Sequence, residues 1–463
     1  MQAFVAQQFE TFWNSPNRNA WMKGIIIVSV LGLSALLAMK PSTRLFMGVT
    51  ALIGGTIGLM ALLRWPTLGL IGTLFGAAFV SYTGPGGINV AVISIAGLSA
   101  LWIADMLILK RKISISDTRT TASIFVFIVC SLLSFGIGQF PWYPLAHHAP
   151  MMSQIGGLAI FIISAFGLFY TANTINSVRW LEILSWTFVA IGAGFVSTRF
   201  IPQLNQVIPL PYQPGFSSNA IFWLWLIIIP FSQALINKNL PLPVRTVLFA
   251  FVGLTLYLAI VRTSDWKSGY LPSIAGMATI FVLILRQRVF FVAPVFPALA
   301  YFLGVEALAS DQYSFITRTD AWFIIIQLTA INPLFGLGFS NYYWYTHLKQ
   351  ILGWRVAFNS HSQYVDLFAQ TGIVGMVAFF WVFWEVWNLG LTLRFRAPEG
   401  FARAYVYGAL GGIVGTLVAG VLGDWILPFV YNVGMIGFRG SILSWIFLGG
   451  LIAIKQIIKT ESK

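Results

Sequence analysis

The chain is a succession of apolar runs, each long enough to cross a bilayer and separated by short polar connections. A transmembrane helix needs roughly 20 predominantly apolar residues. Runs of about that length occupy 24–40, 45–63, 67–82, 88–109, 120–138, 154–174, 180–198, 219–237, 245–261, 270–285, 289–308, 371–393, 402–421 and 438–458. Lipid cannot satisfy an open backbone amide, so a spanning segment is either a helix or part of a closed barrel. The residue alternation of barrel strands is absent, and the expectation is an all-α polytopic membrane protein with about 12–14 transmembrane helices. Its organisation reads as an N-terminal bundle over 1–308, a large loop over 309–370, and further helices over 371–463.

Composition agrees. Charged residues make up 9% of the chain and hydrophobic ones 58%, against roughly a quarter charged in a soluble domain. The net charge of +14 comes from basic residues scattered between apolar runs. That scatter fits positive-inside topology, and nucleic-acid binding is not expected. Lys110, Arg111, Lys112 and Arg119, then Arg286 and Arg288, then Arg394, Arg396 and Arg403, then Lys455, Lys459 and Lys463 mark cytoplasmic connections. Alternating from these anchors puts both termini inside and 262–269, 309–370 and 422–437 outside. No small-residue cleavage site follows the first apolar run, so Gly24–Met39 reads as a retained span. The single cysteine, Cys130, excludes an intrachain disulfide and a zinc site built on cysteine pairs.

The loop after Ala309 is too long for a connector, and loops beyond about 15 residues are usually functional. Within it Thr319–Thr329 has helical spacing, broken by Asn332-Pro333 and by Gly336 and Gly338. Asn341–Leu352, rich in tyrosine and tryptophan, reads as an amphipathic segment at the membrane interface. The chemically equipped residues lie in the same stretch. His361 is the one candidate general base: a histidine accepts a proton near neutral pH and can activate a hydroxyl. Arg318 carries a guanidinium, whose forked donors match phosphate oxygens and stay protonated at any working pH. Asp366, about one helical turn after His361, is a candidate to orient it, and Asp320 and Asp424 are further outward-facing carboxylates. His147 and His148 lack a third metal ligand and read as solvated loop residues.

The order Arg318-Thr-Asp-Ala-Trp322, Asn332-Pro-Leu-Phe-Gly-Leu-Gly338, Ser360-His361-Ser362-Gln-Tyr364 and Gly372-Ile-Val-Gly375 resembles the large extracytoplasmic loop of the O-antigen ligase/polymerase superfamily. Ser362 stands where that family usually has asparagine. The resemblance implies an inner-membrane glycosyltransferase that moves a glycan from a polyprenyl (undecaprenyl) diphosphate to an acceptor hydroxyl on a glycolipid or glycan. It also implies reaction on the extracytoplasmic face, without metal or other cofactor, as in lipopolysaccharide and cell-envelope polysaccharide synthesis. On that footing His361 is the base and Arg318 a diphosphate ligand, while Trp322, Gly336, Gly338, Tyr364 and Asp366 shape the loop or lie near substrate. The family's further Ser-Arg-x-x-Trp-Leu element falls on Val261–Leu271. Aligning on Tyr270-Leu271 makes Lys267 the second cation, and aligning on Arg262 makes it Arg262.

Three readings compete. The absence of any Asp-x-Asp argues against a metal-clamped nucleotide-sugar donor, which needs oxygen ligands for a divalent ion. A ligase, a repeat-joining polymerase and a protein-glycosylating relative share the same residues. A small-solute or bicarbonate-type transporter would call for ionisable residues at the midplane or matched broken helices. Neither is evident in this sequence.

Overall fold

Backbone amides that meet lipid have to be bonded within their own segment, and the architecture follows from that. The computed structural model describes residues 43–111, 119–207, 211–263, 266–285 and 312–461, with Val28, Gly32 and Ile115. The principal helices are α1 (Thr43–Arg64), α2 (Thr67–Phe79), α3 (Val90–Ala104), α4 (Arg119–Ile137), α5 (Met151–Thr174), α6 (Val178–Phe200), α7 (Ala220–Ile236), α8 (Leu242–Tyr257), α9 (Leu271–Leu285), α10 (Gln312–Thr329), α11 (Gln363–Arg396), α12 (Phe401–Leu422) and α13 (Phe438–Glu461). No strand occurs among the described residues, only two isolated bridges. Ten of the described helices are long and apolar enough to cross a membrane, and α2 and α7 are shorter apolar helices. The protein is an all-α polytopic membrane protein. Of the expected spans, 289–308 and all of 24–40 but Val28 and Gly32 lie outside the described residues, and each of the others falls on a helix.

The chain forms two units, Met1–Trp65 and Pro66–Lys463. The described part of the first is essentially α1. In the second, α13 is the central helix, buried without interruption from Phe438 to Ile454. It packs on α5, α7 and α12. The run Ile221–Ile229 of α7 is buried throughout, so its all-round apolar sequence marks a helix enclosed by other helices. α9 and α12 cross where Gly276 meets Gly411: a Cβ on Gly411 would lie 2.6 Å from the Gly276 carbonyl oxygen. Small residues at such a crossing let two backbones approach. The crossing carries the turn before α9 to the end of α12, where Trp266 meets Trp425 edge-on at 5.9 Å.

A guanidinium is sealed inside this unit. Arg439, 1% exposed, heads α13. Its guanidinium donates to the carbonyls of Gly76, Ala77, Val80 and Tyr82 at 2.8–3.2 Å. Those oxygens are at and just past the C-terminal end of α2, where carbonyls lack helical partners and the helix dipole is negative. Arg439 therefore bonds a short helix to the central one. Arg439→Met should lower stability by on the order of 3 kcal/mol, because buried carbonyls lose charged donors. Arg439→Lys should recover only part of it, since an ammonium cannot fork across four acceptors. Thermal unfolding in detergent reads both. Equal midpoints for wild type and Arg439→Met would remove this role.

Candidate functional site

The site is built around a broken helix. α11 starts at Gln363, earlier than the expected span, and contains Gly372 at φ 65° and ψ −167°. A residue in that conformation interrupts the helical bonds and leaves backbone groups open on either side. The Asn332–Gly338 segment closes them. Leu337 N–H donates to the Ala369 carbonyl at 2.8 Å, and the N–H groups of Ile373 and Val374 donate to the carbonyls of Pro333 and Leu334 at 2.9 and 3.1 Å. The approach is tight: a Cβ on Gly336, itself at φ 74°, would sit 2.7 Å from the backbone of residues 370–372. Gly338 lies against Gly138, and Asn341 donates from Nδ2 to the carbonyls of Gly138 and Leu337 while accepting from Ala149 N–H. The glycines of the sequence motif thus dock backbone on backbone.

Arg318 on α10 and His361, just before α11, line one cavity of about 210 Å³ together with Tyr343, Phe358, Asn359 and Tyr431. His361 is exposed and held at φ 50°, a left-handed conformation uncommon for a non-glycine residue. Its neighbours fix it there. Trp322 donates from Nε1 to the Ser360 carbonyl at 2.7 Å, tying α10 to the residue before His361. Ser360 Oγ donates to Asp366 Oδ1 at 2.7 Å, Tyr342 OH donates to the same oxygen, and Ser362 N–H donates to Ser360 Oγ. Asp366 is fully buried and its second oxygen has no partner among the described residues. It holds Ser360 and Tyr342, and the imidazole meets a different residue. His361 Nδ1 lies 3.3 Å from Asn432 Nδ2, and Asn432 Nδ2 donates to Asp424 Oδ1 at 2.5 Å. Asp424 is itself buried and accepts Phe429 N–H at 2.7 Å.

The other sequence candidates separate. Tyr364 stacks on Phe380 at 5.3 Å and donates to the Leu417 carbonyl, so it faces α12. Lys267 sits in the turn Lys267–Gly269 before α9, beside Trp266, which packs on Trp425 next to Asp424. It does not line the Arg318–His361 cavity. Arg262 lines another cavity, of about 430 Å³, with Arg199, Trp223 and Trp266, and donates to the Arg199 carbonyl at 2.9 Å. Asn341–Leu352 is helical only over Asn341–Tyr345 and a further turn to Leu348. Tyr342 and Tyr345 are fully buried, and Tyr343 partly so, in the loop's own core: Tyr342 stacks on Phe429 at 4.8 Å and Tyr343 on Tyr431 at 4.5 Å. His148 Nδ1 lies 3.4 Å from Tyr345 OH, so this histidine is a packed loop residue, whereas His147 is exposed. No group of three or more metal-ligating side chains occurs among the described residues.

Although His361 is accessible to solvent, the protein around its ring partly desolvates it, and this first and the neighbouring Arg318 charge second lower its pKa from the ordinary 6.5, because each disfavours the imidazolium. Burial raises Asp424, against the amides that donate to it. Burial first, and then the Asp366 charge, push the Tyr342 phenol well above 10.0, so it stays a donor.

Two outcomes follow. If turnover needs neutral His361, activity is present above the lowered pKa and lost as pH falls through it. The acid midpoint of kcat/KM should then lie below 6.5, and a midpoint above it would contradict a neutral imidazole. Separately, Gly336→Ala should cost well over about 1 kcal/mol from the positive φ and the backbone clash. Thermal unfolding would reveal this, with activity falling although no cavity-lining residue has changed.

With this geometry in place, comparison with known proteins adds one finding. A family model described as O-Antigen ligase matches residues 243–380, from α8 to the middle of α11. That stretch carries Arg262, Lys267, Arg318 and His361, but not Asp424 or Asn432. No curated protein matches the chain.

Proposed function

We propose that this chain, a member of the O-antigen ligase superfamily by its domain at 243–380, transfers a glycan from a polyprenyl diphosphate to an acceptor hydroxyl. The observation that carries the reading is the single cavity shared by Arg318 and His361. A diphosphate leaving group needs positive charge where its own charge develops, and a preorganised guanidinium supplies it without metal. His361 stands beside it as the titratable group at the reacting centre. Tyr343, Phe358 and Tyr431 give the cavity aromatic walls, against which a sugar ring packs. On the positive-inside topology the cavity opens to the extracytoplasmic side of the inner membrane.

The donor's hydrocarbon tail also has a place. An apolar groove of about 620 Å³ between α11 and α12 is lined by Phe380, Trp381, Trp384 and Leu417. Tyr364, three positions along the chain from His361, holds two of the groove's lining residues, stacking on Phe380 and bonding the Leu417 carbonyl. On this reading the isoprenoid chain lies in that groove, with Tyr364 beside it. The turn holding Lys267, which abuts Trp425, supplies the second cation as the diphosphate binds, and Arg262 serves a separate cavity.

Transfer by purified protein in detergent tests the reading. His361→Ala should lose roughly 10²–10⁴-fold and Arg318→Ala roughly 10²–10³-fold, with Arg318→Lys still impaired for want of the fork. Chelator should leave the wild type active. In a deletion strain, bare core with accumulated lipid-linked polymer identifies a ligase, and core bearing a single repeat identifies a polymerase. An unchanged surface-glycan pattern together with full activity of Arg318→Ala would end the transferase assignment.

A further inference from the structure

The contact between His361 and Asn432 decides which imidazole nitrogen carries the proton. Asp424 Oδ2 is occupied by the Phe429 N–H, and Oδ1 faces Asn432 Nδ2 at 2.5 Å. While Asp424 is ionised it only accepts, and the Asn432 amide then presents its NH₂ group to it. Amide orientation and imidazole tautomer follow from such partners. The same NH₂ has a second proton, and His361 Nδ1 lies 3.3 Å away. A ring nitrogen that accepts from an amide carries no proton, and in a neutral imidazole the proton is then on the other one.

We propose that Asp424, acting through Asn432, locks His361 in the Nε2–H tautomer, so that His361 meets the donor diphosphate as a hydrogen-bond donor and not as a base. The proposal rests on the diphosphate reading above and changes the role that the sequence suggests for His361. Nδ1 is committed to Asn432, and no described residue bonds Nε2, which leaves that N–H for a ligand of the cavity that His361 lines.

The reaction balances without a protein base. The acceptor oxygen forms a bond to the anomeric carbon as the bond from that carbon to the diphosphate breaks, its electron pair staying on the departing oxygen. Arg318 and the His361 Nε2–H hold the charge that develops there. The hydroxyl proton passes to the departing diphosphate, whose terminal phosphate has a second pKa of about 6 and is basic enough to take it. Asp424 and Asn432 touch no reacting atom in this scheme and act as positioning residues.

A paired set of variants separates this from a base and from a merely structural network. A glutamine at 361 places an amide N–H where Nε2–H stood, so His361→Gln should keep activity within about tenfold of wild type, while a base would lose roughly 10²–10⁴-fold. Asp424→Asn keeps the shape but turns the order of donors around. Its amide oxygen accepts Phe429 N–H, its NH₂ faces residue 432, the Asn432 amide flips, and Nδ1 becomes the protonated nitrogen. An isosteric change that imposes the wrong tautomer costs orders of magnitude. Asp424→Asn should therefore lose at least about 10²-fold in the His361 protein and only a few-fold in the His361→Gln protein, which has no tautomer to lose. Nitrogen-15 spectra of histidine-labelled protein, which has four histidines, should show an Nε2–H signal that disappears in His361→Gln and becomes Nδ1–H in Asp424→Asn. Equal losses from Asp424→Asn in both backgrounds, or an Nδ1–H signal in wild type, would overturn the lock. His361→Gln as inactive as His361→Ala would overturn the donor role while leaving the transferase reading standing. Full activity of His361→Ala would instead remove His361 from the reaction and with it the footing of the proposal.

Discussion

A broken helix near lipid is tolerable only when something polar fills the break, and here that something is the backbone of Asn332–Gly338. Gly372 opens α11, and three backbone hydrogen bonds from the inserted segment close it. The rest of the site depends on this junction. It anchors the segment after α10 on the start of α11, and so brings Arg318 and His361 from either side of the loop to one cavity. The glycines at 336, 338 and 372 matter because backbone has to touch backbone there, which is why they occur together with Arg318 and His361 and not as an isolated phosphate-binding loop.

Charge is arranged with equal economy. The charged group that lines the cavity is the half-buried guanidinium of Arg318, while the two carboxylates nearest His361 in the hydrogen-bond network, Asp366 and Asp424, are buried and bonded to other groups. Asp366 secures Ser360 and Tyr342, and Asp424 secures Phe429 and Asn432. Each carboxylate thus stiffens a loop that bears on His361 without presenting negative charge to an anionic leaving group. Together with burial, the Arg318 charge lowers the His361 pKa and so disfavours the imidazolium.

The spans were legible because a bilayer demands length and apolarity and little else. The junction was only half legible. The glycines stood out, but a break inside a helix that resumes on both sides has no hydropathy signature, so the start of α11 was expected at 371 and not at Gln363. Asp366 was placed near His361 by helical spacing. That spacing fails because His361 is at positive φ before the helix begins, which turns its ring toward the 423–434 loop. Asn432 could not have been found at all. It is one neutral residue, 71 positions from its partner, in a loop beyond the matched domain. Lys267 and Arg262 compete for one motif position, and the fold distinguishes them by placement: one in the turn that meets Trp425, the other on a separate cavity.

The position of Asn432 also explains why the loop between α12 and α13 is built so firmly. Gln363 at the head of α11 accepts from the N–H groups of Ile426 and Leu427, Trp445 of α13 donates to the Ile426 carbonyl, and Phe429 stacks on Tyr342. These bonds run from the broken helix and from the central helix to a loop that carries a single polar contact to the imidazole. A hydrogen bond at 3.3 Å orients a ring only if both ends are held, and here one end rests on the Gly372 junction and the other on α13. Changes at Gln363 or Trp445, which do not line the Arg318–His361 cavity, therefore act on the same coordinate as changes at Asn432: the orientation of the His361 ring.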